Sequence, residues 1–170
     1  MTTLVIVFLA DLILKGEKKR TILSVLTGVL LLAQIAVCFV SEPASAFAGL
    51  YVSTAAAQVM KVILTAGAFI VVVMAQSWIE RADVMRKEGE FYELIISTLL
   101  GMYMMISSGH FLMFFLGLEM ASVPMACLVA FDKFKQNSAE GAAKFILTAT
   151  FSSGVMLYGI SFIYGACGTL

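Results

Sequence analysis

Charge is what this chain has least of. Only 13% of its 170 residues are Asp, Glu, Lys or Arg, against about a quarter in an ordinary soluble domain. With 61% of residues hydrophobic and a mean hydropathy of +1.01, the shortage excludes a soluble globular domain and identifies an integral membrane protein. Basic and acidic residues balance at eleven each, a figure that averages over apolar runs and short polar loops and says nothing about partners; no nucleic acid is expected as a partner of this membrane chain. Cysteine is also sparse. Cys38, Cys127 and Cys167 each lie in an apolar run, with no C-x-x-C pair and an odd count, which argues against a disulfide framework and a metal site. There is a single histidine, and no Gly-rich phosphate loop, nucleophile elbow or metal-ligand pair appears. A signal peptide is rejected as well: Met1 leads directly into the first apolar run, with no basic residues before it and no small-residue cleavage site after it.

What the chain does have is a series of apolar runs that read as an all-α, polytopic transmembrane bundle. Six spans are predicted, at about 2–14, 22–40, 59–79, 91–108, 111–131 and 142–166, within a single membrane domain over 1–170. The first is only about 13 residues, short of the roughly 20 needed for a bilayer core of about 30 Å. Ala44 to Ala57 is read as a surface loop or the start of the third helix. Ser107 to His110 makes a tight turn that sets spans four and five as antiparallel neighbours. Ala149, Thr150, Ser153 and Gly154 provide small-x-x-x-small pairs that permit close helix approach in span six.

Basic residues fix an orientation. Lys15 to Arg20, Arg81 to Lys87 and Lys133 to Lys135 fall in alternate loops, so all lie on one side, with Lys144 near it. Only Lys61 lies toward the other. The excess of Lys and Arg marks the cytoplasmic face, so both chain ends are expected on the non-cytoplasmic side.

The fifth run, Phe111 to Phe131, carries a carboxylate near its middle. Glu119 is eight positions in, roughly 12 Å deep at about 1.5 Å per residue, too far from either headgroup layer to snorkel. Placing a charge there costs at least about 2.5 kcal/mol, and residues at such depth usually face a bundle interior and serve an ion or proton path. Desolvation disfavours a charged carboxylate, which is how buried carboxyl groups come to take up and release protons near neutral pH. The bland reading is a protonated glutamate acting as packing glue between helices. Five positions on, Pro124 removes an N–H and leaves the Met120 carbonyl without its helical partner, a helix break beside the carboxylate.

Lys144, about one turn inside span six, is the second candidate for proton transfer. A lysine there could equally snorkel to the headgroups. His110 sits at the tight turn, where an imidazole could pass protons to the surface or simply satisfy local backbone groups. Asp11 and Glu93 lie at span ends and are explained by access to headgroups.

Three blocks resemble a known family: Gly89-Glu90-Phe91-Tyr92; Phe115-Leu116-Gly117-Leu118-Glu119 with Ser122 and Pro124; and Ser138-Ala139-Glu140 with Lys144 and Phe145. A fourth, Leu157-Tyr158-Gly159-Ile160-Ser161 followed by Tyr164-Gly165-Ala166, extends the match over residues 89 to 168. Their order and spacing are similar to the antiporter-like subunit N of NADH-quinone oxidoreductase, respiratory complex I. The resemblance implies an inverted-repeat fold of about fourteen spans in a bacterial inner membrane, with Glu119 paired to a lysine on a later broken helix and Lys144 as a modulating group. It implies partners among the other membrane-arm subunits, including neighbouring antiporter-like ones, and the lipid bilayer. No cofactor is expected on this chain; NAD, FMN, iron–sulfur clusters and quinone belong to other subunits. The partner lysine is expected outside these 170 residues, so the chain alone should not complete a proton channel. A multisubunit cation/proton antiporter or membrane-bound hydrogenase subunit would use the same glutamate, and a structural scaffold remains a third reading.

Overall fold

The computed structural model describes residues 1–14, 19–40, 44–79, 88–132 and 135–168. Among the described residues six α-helices carry the fold: α1 (Thr2–Ile13), α2 (Lys19–Val40), α3 (Ala55–Ile79), α4 (Glu88–Ile106), α5 (Phe111–Val129) and α6 (Gln136–Cys167). Helices are what a bilayer allows, because each backbone N–H and C=O must find its partner within the segment. Four of them, from Thr21–Val40, Ala55–Ile79, Phe111–Val129 and Gln136–Cys167, are long and apolar enough to cross a membrane. The twelve residues of α1 are too few, and α4 opens with Glu88, Glu90 and Glu93, which suit the positive end of its dipole but lower its hydropathy.

The helices run up and down between two ends. At one, which carries the predicted basic loops, α1 ends beside the starts of α2 and α4, as the 3.0 Å ion pair of Asp11 with Lys19 records. Trp78 of α3 meets Phe91 of α4 and Phe131 after α5 at ring separations of 5.9 and 6.2 Å. Most basic residues of those loops, Lys15, Lys18, Arg81, Arg86, Lys87 and Lys133, lie outside the described residues.

The other end holds a feature the sequence reading left open. Ala44 to Ala57 is neither a plain loop nor all helix: strands β1 (Ala44–Ala46) and β2 (Tyr51–Ser53) pair antiparallel around a short 3-10 turn, and α3 begins at Ala55. This hairpin docks on the α4–α5 turn. The Val52 N–H donates to the Ser107 carbonyl and the Gly109 N–H to that of Leu50, both at 2.8 Å.

The core lies among α1 to α4, where Val7, Leu23, Leu31, Val72, Ile79, Tyr92, Ile96 and Leu99 are buried. Outward faces stay apolar, with Val25, Phe39, Ile63, Val71 and Phe151 exposed, the surface a lipid-solvated bundle presents. The chain is thus a multi-pass membrane protein of all-α architecture, with one small hairpin among the described residues.

Candidate functional site

Glu119 sits eight residues from the start of α5 and ten from its end, about 12 and 15 Å by helical rise. Its side chain is half-buried. Its backbone carbonyl accepts from the Ser122 hydroxyl at 3.3 Å, whereas its carboxylate has no hydrogen-bond or ion-pair partner among the described residues. Which way it points follows from its neighbours. A Cβ on Gly101 of α4 would stand 2.5 Å from the Ala121 nitrogen and 2.8 Å from the Gly117 oxygen, so that side of α5 is pressed backbone to backbone against α4. Two residues on from Gly117 is about 200° around a helix. Glu119 therefore faces away from α4, on the same side as Ala126 seven residues later. That side is where α6 returns: Ser138 Oγ donates to the Val129 carbonyl, Gly141 lies against Val129, and Ala126 and Ala142 are both buried.

Pro124 lies inside α5, which continues unbroken to Val129. The missing N–H weakens one turn without ending the helix, since the rungs on either side and the contact with α4 hold it in line.

Lys144 is placed farther from the bundle interior than its span position suggested, because α6 begins at Gln136. Its amine is exposed and paired with Glu140 one turn earlier. It lies 23 residues before Cys167, about 35 Å along the helix, more than a hydrocarbon core. The structure does not bring it to Glu119. His110 caps α5: its Nδ1 accepts from the Leu112 N–H at 3.2 Å, satisfying one of the unpaired donors of the first turn.

The sequence reading placed Lys61 toward the non-cytoplasmic side and gave it no role. This residue of α3 is only 5% exposed. Its amine donates to the Tyr51 hydroxyl at 3.0 Å and to Ser53 at 3.5 Å, and it faces the rings of Tyr51 and Tyr103 at 5.1 and 5.8 Å. Tyr103 in turn shares a hydrogen bond with Thr65 and lies 3.9 Å from Cys38 Sγ. The signal that finds Glu119, a charge inside an apolar run, was present at Lys61 too. Burial pushes the Tyr51 phenol up, but the Ser107 hydroxyl beside it and the Lys61 charge outweigh this and hold it below the ordinary tyrosine range. A cavity of about 550 Å³ lies at the opposite end, lined by Leu4, Glu90, Glu93, Ser97, Cys127 and Phe131 among others.

Comparison with known proteins places this arrangement. Residues 108–170 match a family model described as NADH:quinone oxidoreductase/Mrp antiporter, TM. The NADH-quinone oxidoreductase subunit N of Phocaeicola vulgatus is 54% identical over 98% of this chain and 35% of its own length. The chain belongs to the subunit N family of NADH-quinone oxidoreductases. The member from Methylovorus glucosotrophus is 34% identical over 96% of this chain and 34% of its own. A solved chain from respiratory complex I of Thermus thermophilus with bound aureothin superposes at a TM-score of 0.81 and 25% identity, covering 99% of this chain and 36% of that one. The chain spans about a third of the length of the subunit N relatives it matches.

Proposed function

We propose that this segment works in the membrane arm of an NADH:quinone oxidoreductase, as part of a proton-translocation half-channel in which Glu119 takes up and releases the proton. The observation that carries this reading is the carboxylate itself: mid-helix, turned away from α4, and unpartnered among the described residues. An ionisable group at such depth is costly and marks a transport path.

The action is electrostatic. A charge or conformational change elsewhere alters the field at Glu119, so the carboxylate loads a proton from one side and releases it toward the other. A lysine supplied by the rest of the subunit is the counter-charge, and the segment alone is inactive. Lys144, with Glu140, tunes the field from the basic end, and His110 holds the first turn of α5. Redox chemistry, with NAD, FMN, iron–sulfur clusters and quinone, belongs to other subunits, which are this chain's partners together with neighbouring antiporter-like subunits and lipid. The basic end faces the cytoplasm of a bacterial inner membrane.

The matched family description also covers Mrp antiporters, and a cation/proton antiporter would use the same glutamate while moving sodium. Identities of 54% and 48% to subunits N support the oxidoreductase. The test is Glu119→Gln in the full-length subunit. NADH-driven proton pumping in vesicles should be lost while native-gel assembly stays intact, and quinone reductase rate is read alongside. Normal pumping would make Glu119 a packing residue and the segment a scaffold.

A further inference from the structure

A buried ammonium with no carboxylate beside it is costly, because desolvation is repaid only when other groups satisfy the charge. Lys61 is in that position. The titratable groups facing it are Tyr51 from β2, Tyr103 from α4 and, behind Tyr103, Cys38 from α2. Among the described residues no carboxylate forms an ion pair with it. Hydroxyls and ring faces hold the charge instead. Tyr51 belongs to the hairpin and is half-buried, so it reaches from the amine toward the surface of that end. The neighbouring Ser107 hydroxyl is fully buried and has no hydrogen-bond partner among the described residues.

We propose that Lys61 and Tyr51 form a proton-transfer pair linking the hairpin surface to the bundle interior, a second proton-handling site apart from Glu119. This rests on the proton-translocation reading above. Tyr51 gives its O–H proton to water at the hairpin surface and becomes a phenolate. An N–H bond of the Lys61 ammonium then breaks across the 3.0 Å contact as a new O–H bond forms on Tyr51, leaving phenol and neutral amine. The amine takes its next proton from the interior. One proton moves per cycle and nothing is oxidised or reduced. The Ser107 hydroxyl and the Lys61 charge favour the phenolate, in the direction this step needs. Tyr103 is a positioning residue: its ring faces the amine and its hydroxyl is tied to Thr65.

Full-length subunits carrying Tyr51→Phe, Lys61→Arg or Glu119→Gln are compared in the assembled complex for vesicle acidification. Tyr51→Phe keeps the ring beside Lys61 and removes the hydroxyl; Lys61→Arg keeps the charge but does not give up its proton. Each should lower pumping by at least about tenfold, the order a positioned acid or base contributes, with assembly intact. Full pumping by either variant, while Glu119→Gln pumps nothing, overturns the pair alone; full pumping by Glu119→Gln overturns the preceding reading instead. If Lys61→Arg does not assemble, replacement of Tyr51 by the more acidic 3-fluorotyrosine decides. The pH profile of pumping should move to lower pH, and an unmoved profile overturns the proposal.

Discussion

Gly101 of α4 and Gly117 of α5 face each other without side chains between them: a Cβ on Gly117 would stand 2.9 Å from the Gly101 oxygen and 2.7 Å from the Met105 nitrogen. Two of the three neighbours it would meet at that range are backbone atoms and the third is Met105 Cγ, so the helices themselves must shift. Gly117→Ala should therefore push the two helices apart at a cost of about 1–3 kcal/mol. Because this contact sets which way Glu119 turns, pumping should fall together with the melting temperature of the assembled complex. A variant with unchanged melting and pumping would mean the helices are free to slide.

A second contact explains the glycine that opens α4. A Cβ on Gly89 would overlap the Asp11 carboxylate, which α1 lays over the start of α4 while Lys19 holds it at 3.0 Å. Gly89→Ala is expected to displace Asp11 and loosen α1. Asp11→Ala in the same chain removes the obstacle, so the double variant should be more stable than the sum of the two single effects. Melting of the four proteins in a double-mutant cycle gives the coupling directly. Strict additivity would show that the two residues do not touch.

These relationships show where the sequence was legible and where it was not. Each of the six hydropathy runs overlaps a helix of the structure, because apolar stretches of this length have few alternatives. Helices α3 and α6 begin before the apolar runs at 59 and 142, at Ala55 and Gln136, since Ala-rich and polar first turns carry no hydropathy signal. The hairpin was invisible for a related reason: Ala, Ser and Gly around Phe47 show no alternation. Of the small residues in α6, Ser153 is buried while Gly154 has open space around it; the tight glycine contact between helices is at Gly101 and Gly117, where spacing on two different helices decides. Glu119 was found by its depth, but its direction depends on α4. Tyr51 and Tyr103 meet on Lys61 only through the docking of the hairpin, which no local pattern encodes.

His110 provides a stability test independent of proton transfer. Its Nδ1 accepts the Leu112 N–H, so His110→Ala leaves that donor unpaired and should cost about 1 kcal/mol, the usual value of an N-cap. His110→Asn offers an acceptor at the same place and should recover most of it. Thermal unfolding of the assembled complex separates the two. If pumping falls in the asparagine variant while stability is recovered, the imidazole does more than cap the helix.

Pro124 tests whether the weakened turn of α5 matters to its carboxylate. Proline in a helix interior costs about 3 kcal/mol relative to alanine, partly through the lost N–H. Here the helix runs through it unbroken, and Gly101 lies against the Met120 peptide, a Cβ there coming within 2.7 Å of the Met120 carbonyl carbon. Pro124→Ala should restore the bond to the Met120 carbonyl and raise the melting temperature. The added rung tightens the turn that follows Glu119, so pumping should fall, but less than in Glu119→Gln. The comparison is made in one vesicle preparation with native-gel assembly as control. If Pro124→Ala abolishes pumping more completely than Glu119→Gln, the flexible turn rather than the carboxylate is the working part of α5.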